Sequence, residues 1–436
     1  MICRYTLLAL LLIVVSFQSR LNAENWGGWR GPRGDGTSLE NNVPLRWNGP
    51  SGENITWKIA VPGIGHSSPI VWQDRVFLVS CDTETGDRLL ISLDRLTGKT
   101  RWTKTVLSKS LLETKHRLNS HASSTPVTDG KIVVVSFLEV DGSTVPAKNV
   151  GRARPVTPGK MVLAAYDFEG NQKWLVRPGG FVSVHGYCSC PVLFEDLVIV
   201  NGDHDGDSYI VALDRNTGKT VWKVERDHKT RSYVTPIIRE VAGRTQMVLS
   251  GSKSICSYDP RNGSRFWKIN GPTEQFVASM VFDGRLFYMA AGFPTHHVMA
   301  VRPEGSGNVT DTHVVWHETN GVGCYVPSPV LVGNYLLVAD DLGTANCFEA
   351  KTGVRQWRVR MGNHFSASLV TAGGLAYFLA DNGITKIVRP GAEENVVAEN
   401  PLGEYCFASP AISDGQIFIR GEEHLFCIGP RQTGAE

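Results

Sequence analysis

The stretch LDRLTGKTRW occupies residues 93–102, and LDRNTGKTVW returns at 213–222. Both contain Gly-Lys-Thr, the close of a phosphate-binding P-loop. That motif needs a first glycine five residues before the second, so that successive backbone N–H groups curl around phosphate oxygens. Leu93 and Leu213 stand there instead, and no helical pattern follows either threonine. The informative feature is therefore the repetition.

The pattern Asp/Glu-x3-Gly-x3-Trp recurs as Asp94-Gly98-Trp102, Asp214-Gly218-Trp222, Asp259-Gly263-Trp267 and Glu349-Gly353-Trp357. Asp167-Gly170-Trp174 is one residue shorter, and Trp57 and Trp316 stand at the equivalent point without the full turn. Successive tryptophans lie 45, 72, 48, 45, 49 and 41 residues apart. The long interval holds VDGSTVPAKNVGRARPVTPGK (140–160), a polar, Pro/Gly-rich insertion that reads as a loop. Each unit opens on Ser/Thr-Pro or its equivalent, as in SSPIV (67–71) or VTPII (234–238), and continues with short β-branched and aromatic runs. Four such strands per unit at this period mark a propeller blade.

Eight first strands are present. The last unit ends at HLFCIG (424–429) without a Trp strand, while ITWKIAV (55–61) is a fourth strand with no blade before it. The expectation is an all-β, eight-bladed β-propeller of four-stranded antiparallel blades, closed by the N-terminal strand so that no sheet edge stays free. Seven blades is the alternative, because IVRPGAEENVVAEN (387–400) lacks the tryptophan. Each turn glycine supplies the left-handed residue of a hairpin. Each turn aspartate accepts from turn N–H groups, and each tryptophan packs between neighbouring blades.

Residues 1–23 read as a secretory signal peptide: Arg4, the apolar run TLLALLLIVVSF (6–17), and a small residue, Ala23, at the cleavage point. Twelve apolar residues are too few for a comfortable membrane span. This places the chain in a secreted or periplasmic compartment. Residues 24–53 form an N-terminal extended segment, 54–430 the propeller and 431–436 a tail. Lys+Arg number 44 against Asp+Glu 42, which leaves no electrostatic footprint for nucleic acid.

The repeat ALDRNTGKTVW (212–222) resembles that of the pyrroloquinoline-quinone-like (PQQ-like) propellers, and the likeness covers about 54–430. NWGGWRGPRGDGTS (25–38) is similar to the leader of secreted bacterial members. The resemblance implies the fold and leaves the function open among quinoprotein dehydrogenases, an outer-membrane assembly propeller that binds protein, and other secreted proteins. The dehydrogenases of this family carry adjacent cysteines against the quinone, a calcium ion and a catalytic aspartate. This chain has no Cys-Cys; its nearest approach is Cys188-Ser189-Cys190.

Residues just before each first strand should line one end of the axial channel. His121, Arg231, Gln275, Cys324, His364 and Tyr405 stand five before the reference position, with His66 and His185 nearby. They are either ligand-binding groups or hydrogen-bonded residues around water. His185-x-x-Cys188-x-Cys190 offers soft-metal donors, although its spacing matches no established site. DHDGD echoes a calcium loop through Asp203, Asp205 and Asp207, but the acidic residue twelve positions along is the turn residue Asp214. Ring closure could bring Cys81 near Cys406 or Cys427, while Cys256, Cys347 and Cys427 recur on third strands as packing residues.

No hydrolase elbow or His-Glu-x-x-His occurs. The sequence points to a non-catalytic binding or scaffold module without a cofactor. The alternatives are a PQQ-dependent dehydrogenase holding the quinone and calcium, and an envelope protein-assembly propeller. Expected partners are envelope or extracellular proteins, or a small molecule in the axial channel.

Overall fold

The computed structural model describes residues 24–148 and 154–430. Eight sheets follow one another as blades, each of four antiparallel strands, with Gly307–Asn308 added to the fourth as a short parallel edge strand. Blades 1 to 7 span residues 70–107, 127–181, 192–225, 237–270, 281–318, 330–360 and 370–401. Blade 8 takes three strands from 411–428 and its fourth, Ile55–Ala60, from the start of the chain. The register pairs Trp57 with Cys427 and Ala60 with His424. The eight-bladed expectation holds, and the seven-bladed alternative does not. Among the described residues helix is confined to one turn, Thr310–His313, and no helix is long and apolar enough to cross a membrane. The expected signal peptide lies outside the described residues.

The turn glycines have two reasons to be glycine. Gly98 and Gly218 sit at φ 71° and 72°, in the left-handed region. A Cβ on Gly98 would also lie 2.9 Å from the Trp57 ring, and one on Gly218 would lie 2.8 Å from Trp174. The partner tryptophan always belongs to the preceding blade. Its indole N–H donates to the carbonyl that follows the turn acid: Trp57 to Arg95 at 2.8 Å, Trp102 to Phe168 at 2.9 Å, Trp174 to Arg215 at 2.9 Å. Trp222, Trp267, Trp316 and Trp357 make the same kind of bond to Pro260, Pro303, Ala350 and Gly391. Within the turn, Asp94 Oδ1 accepts from the Thr97 N–H at 3.0 Å.

Blade 7 has no such tryptophan. Ala398 pairs with Ile387 where Trp222 pairs with Ala212 in blade 3. Trp47 of the N-terminal segment packs into this gap: it is buried in the same apolar cluster as Ala398 and Leu402, although its indole N–H does not make the bond that the blade tryptophans make. Its backbone N–H donates to Asn400 Oδ1 at 3.0 Å, and the Gly49 N–H donates to the Pro401 carbonyl at 2.9 Å.

A second ring of contacts runs round the axis. Two positions before the first strands stand Ser68, Thr125, Cys190, Thr235, Ser279, Ser328, Ser368 and Ser409. Backbone N–H groups of one blade donate to the side chain of the next: Ser68 to Thr125 Oγ1 at 3.0 Å, Ser279 to Ser328 Oγ at 2.9 Å, Ser328 to Ser368 Oγ at 2.9 Å, Ser368 to Ser409 Oγ at 2.9 Å. The Ser/Thr-Pro signature is thus a polar belt that satisfies backbone donors at the crowded centre of the ring.

Two expectations need correction. The 140–160 insertion is not a plain loop: Val140 pairs with Gly159, and Val145–Pro146 pairs with Pro155–Val156 as a ribbon above blade 2. Cys81 is not bonded to Cys406 or Cys427; all the described cysteines are free thiols. Cys81 Sγ instead accepts from Arg88 Nη1 at 3.2 Å, while Arg420 of blade 8 fills the blade 8–blade 1 seam, donating to Ser67 Oγ at 3.0 Å.

Candidate functional site

The two ends of the axis differ. The N-terminal segment seals the end where the first strands finish. Trp26 exchanges backbone bonds with Val71 of blade 1, and the Gly27 carbonyl accepts from the Thr128 N–H of blade 2 at 2.7 Å. Asp35 holds Arg239 of blade 4 at 2.8 Å, Ser38 bonds Thr371 of blade 7, and Glu40 accepts from the Gly415 N–H of blade 8. Trp29 Nε1 reaches the belt itself, at Ser279 Oγ, 3.4 Å.

The other end opens into a cavity of about 1820 Å³. Its floor is a ring with one residue from each blade, always two positions before the belt residue: His66, Ser123, Cys188, Tyr233, Val277, Val326, Ser366 and Phe407. Alternate residues of an extended chain share a face, so a belt residue that points to its neighbour leaves the residue two before it pointing to the axis. The walls come from top-face connections, with His116, His185, Arg231, Phe293, Asp341, Leu342 and His364 among them. Leu342 and Phe293 are 69% and 47% exposed at its mouth, a large apolar exposure for a surface loop.

Several charged groups of the cavity are held by partners from the protein. Arg231 pairs with Asp205 at 2.8 Å, and His364 Nδ1 lies 2.7 Å from Asp381 Oδ2. Asp341 Oδ1 accepts from the N–H groups of Val326 at 2.9 Å and Tyr325 at 3.3 Å. Burial nevertheless raises the Asp341 carboxyl to about 6. Burial also lowers His66 to about 3, with Arg420 and Lys115 adding repulsion, and lowers His185 to about 3, with Arg231 adding to it. Both rings are neutral near pH 7.

Of the sequence candidates, His66, His185, Arg231 and His364 line the cavity. The other three point elsewhere. His121 turns to Glu113, Nδ1 to Oε2 3.0 Å, beside the buried Arg88–Glu113 pair. Gln275 Oε1 accepts from the Tyr325 hydroxyl at 3.2 Å, and Tyr405 is exposed. Cys324 is buried beneath the surface, its thiol near the His297 carbonyl at 3.6 Å. His116, Tyr233, Phe293, His297 and Asp341 were missed. A count back from the belt residue finds Tyr233, and an acidic residue where the second strand ends marks Asp203, Asp340 and Asp381.

The two proposed metal sets are not assembled. Cys190 belongs to the belt, its sulfur accepting from the Thr125 N–H at 3.2 Å, while Cys188 faces the cavity. His185, Cys188 and Cys190 therefore do not share a focus. Asp203, Asp205 and Asp207 are each taken by a different cation: Arg226 at 2.9 Å, Arg231 at 2.8 Å and Lys229 at 2.5 Å. Among the described residues, the one set of three converging donors is Glu404, Glu423 and His424. The cavity also offers a poor cradle for a calcium–quinone pair. Cys190 is committed to the belt, and the Asp341 oxygen accepts two backbone N–H groups in a site that disfavours its charge.

Residues 45–145, 142–291 and 305–394 match the PQQ-repeat family model described as outer membrane protein assembly factor BamB. The chain belongs to this family. The outer membrane protein assembly factor BamB of Burkholderia pseudomallei (strain K96243) is 30% identical over 129 residues, covering 29% of this chain and 33% of that protein. The chain thus spans a third of the length of the curated relative it matches. BamB from Moraxella catarrhalis superposes with a TM-score of 0.59 at 12% identity, over 86% of this chain and 99% of the other. A quinohemoprotein alcohol dehydrogenase from Pseudomonas putida HK5 superposes with a TM-score of 0.58 at 12% identity, over 94% and 81%. At such identities the structural likeness shows the fold alone, and it embraces a BamB and a dehydrogenase equally.

Proposed function

We propose that this propeller is a non-catalytic binding module of the cell envelope, which receives a segment of another envelope protein at the open end of its axis. The observation that carries this reading is the asymmetry of the axis. One end is sealed by the chain's own N-terminal segment, while the other is a wide cavity rimmed by the exposed apolar side chains of Phe293 and Leu342. Arg231 and His364 inside it are each paired with a carboxylate of the protein, which suits a preformed receiving surface. Family membership agrees with an extracytoplasmic setting. The proposal includes no resident cofactor.

The test compares partner capture by the wild-type protein and by a Phe293→Asp/Leu342→Asp double variant after crosslinking in the native envelope. One partner recovered with the wild type and lost with the double variant is the expected result. Equal recovery with both proteins contradicts the proposal. So does dye-reducing alcohol oxidation by protein loaded with pyrroloquinoline quinone and calcium.

A further inference from the structure

Blade 5 carries a histidine pair that neither the repeat nor the cavity reading uses. His297 lies on the third strand, His297–Val301, and His317 on the fourth, Val314–Glu318. The register sets Met299 opposite His317, so His297 and His317 are diagonal neighbours on one face of the sheet. His297 Nδ1 and His317 Nε2 face each other at 2.8 Å.

The surroundings of His297 fix its tautomer. Thr295 Oγ1 donates its proton to Thr273 Oγ1 at 3.2 Å. Thr295 Oγ1 therefore accepts from His297 Nε2–H, at 2.8 Å. The remaining ring nitrogen, Nδ1, therefore accepts from His317 Nε2–H, and a bound ion would take the place of that shared proton. A histidine whose far N–H is tied to an oxygen is the arrangement found behind metal-bound imidazoles. His317 is exposed and free to turn its own nitrogen lone pair inward.

We propose that His297 Nδ1 and His317 Nε2 form a two-imidazole site for a borderline transition-metal ion, Zn(II) or Cu(II), at the margin of the axial cavity. Imidazole nitrogens suit these ions, and two of them leave coordination positions open. Thr295, His296 and His297 line the cavity, so those positions border the same chamber. The inference is independent of the partner-binding proposal, because the metal is read without any partner.

The test uses tag-free, chelator-treated protein titrated calorimetrically with Zn(II) and Cu(II), together with paramagnetic resonance of the Cu(II) form. One equivalent should bind, with nitrogen hyperfine structure from two imidazoles. His317→Gln lies on an exposed strand and should keep the fold while weakening binding at least about tenfold. Thr295→Val, which leaves both imidazoles in place but releases the tautomer, should weaken it about 10- to 100-fold. Unchanged binding in His317→Gln overturns the proposal, as does absence of binding in the wild type. Loss on His424→Gln instead also overturns it, because the ion would then sit at Glu404, Glu423 and His424.

Discussion

A Cβ on Gly218 would stand 2.8 Å from the ring of Trp174, the tryptophan of the preceding blade. The glycine is thus required twice, for its φ of 72° and for the indole it admits. Gly243 separates the effects: its φ is also 72°, but nothing lies within 4 Å of the added carbon. Gly243→Ala should cost about 1 kcal/mol from backbone strain alone. Gly218→Ala should cost roughly 2 kcal/mol more, because the Trp174 ring must move. Urea midpoints of the two variants check this, and equal shifts would remove the packing role.

Trp47 should behave as a member of the repeat although it lies outside it. Trp47→Ala leaves a cavity at the blade 7–blade 8 seam and should destabilise by about 3–5 kcal/mol. Leu39→Ala, on the exposed surface of the same segment, should stay within about 0.5 kcal/mol. Thermal melts measure both. A small effect at Trp47 would mean that blade 7 closes without it.

Stability should fall on mild acidification. His66 and His185 have folded values of about 3, and His204 and His297 of about 4, against about 6.5 when unfolded. Between pH 6.5 and those values the unfolded chain holds more protons, so stability is lost as the pH drops through this window. By pH 5 each ring contributes a loss of about 2 kcal/mol. Three carboxyls act the other way: Asp341, raised to about 6, and the buried Asp203 and Asp205, also raised, favour the fold as the pH falls, so the net decline is carried by the histidines. Urea midpoints from pH 7.5 to 5 should decline, and His66→Gln with His185→Gln should flatten the slope. A flat wild-type profile contradicts these assignments.

Arg226 and Asp203 are a buried pair at 2.9 Å rather than part of an ion loop. Arg226→Met leaves a carboxylate without its cation and should cost about 3–5 kcal/mol. Adding Asp203→Asn should recover part of that loss. Calcium should leave the melting temperature of the wild type unchanged. A rise with calcium would show that the loop reorganises around the ion.

The fold was legible because its determinants repeat. Glycine, tryptophan and Ser/Thr-Pro recur at fixed offsets, and each marks a contact with the neighbouring blade. Trp47 was not legible as a blade residue, since it fills a gap from about 350 residues away in sequence. The cavity was half legible. Counting back five positions found Arg231 and His364, and His66 and His185 were read beside them, but periodicity gives a direction only for the ring itself. His121 was misplaced because a buried Arg88–Glu113 pair draws it aside. Phe293 and Asp341 sit on connections that differ from blade to blade, and His297 opens a third strand at a position whose residue varies between blades, so no repeat announces them.

The central claim is that the open end of the axis, not the sealed one, receives another envelope protein. A photo-crosslinking residue at Leu342, 69% exposed at the cavity mouth, and another at Leu39, 66% exposed on the sealed end, test it side by side in living cells. The expected result is a discrete adduct at Leu342 and none at Leu39. An adduct at Leu39 alone, or none at either position, would contradict the account.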